Sequence, residues 1–110
     1  MALYVAFFTF RPGAGLAEGL QAFERRKTFR HPPRANVIGE FWVSAPPDKP
    51  QAVVIWEAED EGAGDYYEAY WGDLFDVTIC QATRPVTELP SDLSQLQRLA
   101  EQAQRGNAES

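Results

Sequence analysis

The sequence predicts one small α+β domain whose four-stranded antiparallel sheet is built in β-α-β-β-α-β order. Three observations carry this reading. Four runs are rich in β-branched and aromatic residues and are bounded by turn signals. Two stretches between them change to helical period. The linker between the second and third runs is too short for a crossover, so those runs form an antiparallel hairpin.

The first run, Leu3 to Phe10, stops at Arg11-Pro12-Gly13. Leu3, Val5 and Phe7 alternate with Tyr4, Ala6, Phe8 and Phe10, so both faces are apolar and the strand belongs in the centre of its sheet. From Gly15 to about Phe29, Leu16, Leu20 and Phe23 recur at helical spacing and predict the inward stripe. Glu18, Gln21, Glu24 and Arg25 are assigned to the outer face of that helix. Its basic end favours the helix dipole, and Pro32-Pro33 forbids continuation. Asn36–Ser44 and Gln51–Glu59 are the hairpin strands, joined through Ala45-Pro46-Pro47-Asp48-Lys49-Pro50. Asp60 is the expected N-cap of a second helix that ends at Gly72, with Ala63, Tyr66, Tyr67, Tyr70 and Trp71 facing inward. Leu74–Val86 is the fourth strand, and Pro85 near its end favours a sheet edge. Ser91 then caps a last helix with a narrow stripe of Leu93, Leu96, Leu99 and Ala100. The organisation is a domain over 1–88, a helical appendage over 89–104 and a tail over 105–110.

Composition narrows the function classes. The 110 residues carry a net charge of -6, which argues against nucleic acid or an anionic membrane as partner. A single cysteine, Cys80, permits no internal disulfide and fits a reducing cytoplasm; within an apolar strand it reads as inert core. The apolar start of the chain ends at Arg11, well short of the roughly 20 residues a membrane-spanning helix needs. Six of the ten basic residues lie between positions 11 and 34, and eight of the sixteen acids between 57 and 76, so the two helices should pair through charge.

Strand, helix, hairpin, helix, strand is the ferredoxin-like, split-βαβ pattern. Right-handed crossovers put both helices on one face of the sheet, yet the strands are apolar on both faces. Leaving an aromatic-bearing face wet would forfeit several kcal/mol at about 25 cal/mol per Å². A second subunit's sheet is the expected cover, with the C-terminal helix as the alternative.

Phe10-Arg11-Pro12-Gly13, Trp56-Glu57-Ala58-Glu59-Asp60 and Trp71-Gly72-Asp73-Leu74-Phe75-Asp76 together resemble small domains of the dimeric α+β-barrel superfamily. In pattern the chain is most similar to an uncharacterised family within that group, over roughly residues 3 to 84. The resemblance implies a homodimer in which two sheets pack face to face into a barrel. Relatives of that group include cofactor-independent monooxygenases, muconolactone-type isomerases and haem-handling enzymes, so shared fold does not settle function.

The residues themselves place Glu40 and Glu57 on neighbouring strands, where a dry barrel would raise the pKa of at least one and make it a general base. Solvated, or paired with Arg34, the same carboxylates would be structural. Antiparallel topology separates Glu57 from Asp76, which excludes a carboxylate dyad of these two. Trp42, with Tyr4 or Phe8, is expected to line a cavity for a flat organic ligand; His31 and Asp76 complete the ligand-binding candidates. His31, beside Arg30 and before two prolines, reads as an exposed loop residue unless it binds a ligand. A lone histidine with no metal-spaced partners gives no metal site, and no phosphate loop or other motif calls for a cofactor. Two functions follow from these readings. One is binding or conversion of a small apolar or aromatic molecule by a homodimer. The other is a non-enzymatic module whose barrel is filled by its own side chains.

Overall fold

The computed structural model describes residues 1–84 together with 97, 98 and 100–103. The strands are β1 (Ala2–Phe10), β2 (Asn36–Trp42), β3 (Ala52–Ala58) and β4 (Phe75–Ala82); the helices are α1 (Leu16–Thr28) and α2 (Gly62–Trp71). They follow one another as β1-α1-β2-β3-α2-β4, in the ferredoxin-like order. The sheet order is β2-β3-β1-β4, with every neighbouring pair antiparallel. The doubly apolar β1 is therefore central and β4 is an edge. Residues 97, 98 and 100–103 are helical. Leu93, Leu96 and Leu99, the Ser91 cap, Pro85 and the expected boundaries at 88 and 104 lie outside the described residues. No helix among the described residues is long and apolar enough to cross a membrane.

One face of the sheet carries the core. Tyr4, Ala6 and Phe8 of β1 alternate inward with Ala52, Val54 and Trp56 of β3, and all six are buried. Against them pack Ala63, Tyr67 and Trp71 of α2, with Phe29 just beyond α1. Gly64 brings α2 close to β4: a Cβ there would stand 3.2 Å from Ile79 Cγ2. The core is dominated by rings. Phe75 is fully buried, stacked on Phe10 at 4.5 Å and edge-on to Phe8 and Trp71 at 5.9 and 5.7 Å. Truncation of Phe75 to Ala is expected to cost about 3–5 kcal/mol, read from the urea midpoint at constant slope.

Three expectations are corrected. Leu16, Leu20 and Phe23 are 80%, 57% and 63% exposed, whereas Ala22 is the buried residue of α1. The helix is turned by about one residue because both inward arginines are anchored. Arg25 makes two hydrogen bonds to Asp73, at 2.7 and 2.9 Å, and Arg26 is bidentate on Glu40. Such forked pairs fix rotation as well as contact. Charge pairing thus runs from α1 to the segment after α2 and to β2. Second, Tyr66 of α2 is exposed. Third, Cys80 is exposed and lies on the sheet face away from the helices, beside Val5.

A bulge in β2 decides which side chains meet. Val37 opposes Trp56, yet Gly39 opposes Ile55, so Ile38 is an extra residue in the ladder. Gly39 accommodates this because the Phe41 ring lies across it, where a Cβ would be 2.7 Å from a ring carbon. Downstream of the bulge the parity reverses, and Glu40 and Trp42 turn to the helix side of the sheet.

Candidate functional site

The helix side of β2 holds a polar cluster set into the aromatic core. Glu40 Oε2 accepts from Arg26 Nε at 2.6 Å and from the Trp42 indole Nε1 at 2.7 Å. Its Oε1 accepts from Arg26 Nη2 at 2.7 Å and lies 2.9 Å from His31 Nε2. A carboxylate accepts at about four lone-pair positions, so this one is saturated. Burial by itself would raise the carboxyl's pKa. The hydrogen bonds from Arg26, Trp42 and His31, with the Arg26 charge, outweigh burial and hold it at about 2. Glu40 is therefore anionic at neutral pH and a weak base, contrary to the raised pKa expected of a strand carboxylate in a dry barrel.

His31 is drawn into this cluster instead of lying in the open. Its Nδ1 is 2.7 Å from the Tyr67 hydroxyl. Because ionised Glu40 can only accept, His31 carries its proton on Nε2, and in the neutral ring Nδ1 accepts from Tyr67. The tyrosine's ionisation is pushed well above its ordinary range by burial first, then by the Glu40 charge. The sequence drew attention to neither Arg26 nor Tyr67. Gly19, Ala22 and Arg26 share one helical face at i, i+3 and i+7, so the helical period could have placed Arg26 on the same face as the buried Ala22.

Two spaces adjoin the cluster. An inner cavity of about 10 Å³, room for one water at most, is bounded by His31, Glu40, Tyr67, Phe8, Phe29 and Trp71 among others. A groove of about 460 Å³ opens beside α1, lined by Phe10, Gly19, Phe23, Trp42, Val43 and Gln51 among others. Trp42 and Arg26 line both and form the partition between them.

The structure brings together Glu40, His31, Trp42 and Phe8, and it separates the remaining candidates. Glu57 pairs across β1 with Leu3 on the opposite sheet face from Glu40, and its partner is Arg84. The two carboxylates cannot approach each other, because the bulge turns only Glu40. Arg34 forms an ion pair with neither; Arg26 takes that place at Glu40. Asp76 shares Trp42's end of the sheet but faces the other way, opposite Thr9, with Arg11 at 3.4 Å. Leu3 and Thr9 are six positions apart, so Glu57 and Asp76 lie about 20 Å apart along the sheet, as the topology required. Tyr4 is buried and stacked on Trp56. Trp56 and Ala52, the partner of Trp42, are four positions apart on β3, about 13 Å, so Tyr4 does not share the Trp42 cavity. Among the described residues no His, Cys, Asp and Glu side chains gather into a group of three able to hold a metal ion.

No protein-family model and no curated protein matches the chain. A solved structure described as an uncharacterized NIPSNAP-like domain protein from Burkholderia xenovorans is similar to it, at 21% identity over 81% of this chain and 89% of that one, with a TM-score of 0.46. A likeness that distant bears on neither activity nor assembly.

Proposed function

We propose that this chain is a homodimeric binding domain that holds a small apolar or aromatic molecule in the groove between α1 and the sheet. The groove carries the reading: its volume of about 460 Å³ falls within the range of small-molecule sites, and Phe10, Phe23, Trp42 and Val43 make its walls apolar. Binding fits the chemistry better than proton abstraction, because Glu40 is saturated and held at about 2. The test is calorimetric titration with naphthalene and 2-naphthol. Saturable binding of at least one, at one site per chain, is expected. Gly19→Phe should abolish it, because a first carbon at Gly19 meets nothing within 4 Å and the ring then fills the groove. Failure of both probes to bind, or binding that survives this substitution, overturns the reading.

The dimer forms through the sheet face opposite α1 and α2. There Leu3, Val5 and Phe7 of β1 meet Val53 and Ile55 of β3 and Phe41 of β2. The second reading, a structural module with a side-chain-filled barrel, is favoured by this same face. Its central row, Gly39-Ile55-Val5-Cys80, carries no Asp, Glu, His, Lys or Arg.

A further inference from the structure

The groove and the inner cavity are separated by a side chain that chemically resembles a ligand. Trp42 is the last residue of an edge strand and is 45% exposed. Its ring meets Trp71 and Phe75 edge-on, with centroids 6.2 Å away, and its indole N–H donates to Glu40. Swinging the indole outward joins the two spaces and leaves one lone-pair position of Glu40 Oε2 empty. Water refills the vacated position while the groove is empty, but a ligand that displaces this water leaves it unfilled, so with a ligand bound the swing is favourable only if the ligand itself donates there.

Resting on the binding reading above, we propose that the groove selects neutral aromatic molecules bearing an O–H or N–H donor, such as phenols and indoles, which displace the Trp42 indole from Glu40. The charges around the groove exclude the other classes. An anionic ligand would meet the Glu40 carboxylate, while the guanidinium that could attract it is occupied: Arg26 Nε and Nη2 bind Glu40 and Nη1 reaches the Phe29 carbonyl. A cation would lie against Arg26. Elsewhere in the groove Gln51 is also engaged at both ends, accepting from the Phe10 N–H and donating to the Pro46 carbonyl. The acceptor behind Trp42 is what remains to recognise a polar atom, and it requires a donor. Trp42 thus competes with the ligand from within the chain, as an internal occupant of the donor position.

The test compares 2-naphthol with naphthalene, which share a ring system and differ in the donor, on wild type and on Trp42→Phe, which keeps a ring and removes the internal N–H. In wild type 2-naphthol should bind about tenfold or more tightly than naphthalene, and the Trp42 indole proton resonance should move as its bond to Glu40 is lost. In W42F the preference for 2-naphthol over naphthalene should rise a further tenfold or so. Glu40→Gln should reduce the preference, and W42F keeps the test intact if that variant does not fold. Equal affinity for the two probes in wild type, or a preference unmoved in W42F, overturns the donor rule while the groove reading stands. No binding of either probe to either protein overturns both.

Discussion

Glu40→Gln is expected to abolish most of the stability that this position loses in acid. The folded carboxyl titrates at about 2 against an ordinary value of 4.5. A depressed folded pKa means that the unfolded chain takes up the proton first as pH falls. The stabilisation is therefore complete above about pH 4.5 and fades as pH drops toward about 2. A shift of that size corresponds to about 3 kcal/mol. The carboxylate side chain is only 16% exposed, so solvent screening removes little of it. At neutral pH the variant should be less stable by about 3 kcal/mol, since its neutral amide pairs poorly with Arg26 and leaves donors in the cluster unmatched. Urea unfolding at several pH values, at fixed protein concentration, is the measurement. Wild-type and variant stabilities should converge as pH approaches 2. Parallel curves from pH 6 to pH 2 would show that the Arg26–Glu40–His31 arrangement contributes no such linkage. Asp73 is also held below its ordinary range by Arg25, and its acid response should remain in both proteins.

Ile55→Lys is expected to turn the proposed dimer into a monomer. Ile55 lies in the middle row of the sheet face opposite α1 and α2, between Gly39 on β2 and Val5 on β1. In a two-fold interface every substitution occurs twice, so two ammonium groups would be taken from water without a partner. The penalty is several kcal/mol per ion, which amounts to a loss of association by more than about a thousandfold. Light scattering should then report 12.3 kDa for the variant and twice that mass for the wild type. The helical signal should persist, because the side chain points away from the core formed by Trp56, Tyr67 and Phe75. A wild type that is already monomeric at micromolar concentration sinks the dimer, and so does a variant that stays paired.

Much of the fold is legible because its signals are local. The two apolar parities of β1, the proline-rich hairpin linker and the change of period at Gly15 and after Asp60 each depend on a few neighbouring residues. The site was legible only in its members. Glu40, His31, Trp42 and Phe8 were recognisable as candidates, whereas Arg26 looked like one cation of the basic helix end and Tyr67 like one of several core rings. Pairing between residues 14 to 36 positions apart, such as Arg26 with Glu40 and His31 with Tyr67, leaves no periodic trace in a chain.

The feature that escaped the sequence is the extra residue at Ile38. Alternation in a strand assigns faces only modulo a register, and one bulge inverts every assignment beyond it. It carried Glu40 away from Glu57 and into the helical layer, where Arg26 had to turn α1 to meet it. The amino-acid pattern alone thus determined the order of elements, the central place of β1 and the doubly apolar sheet. The tertiary structure decided which face each polar residue occupies and how α1 is rotated, because both depend on a ladder defect and on ion pairs formed only when distant segments meet.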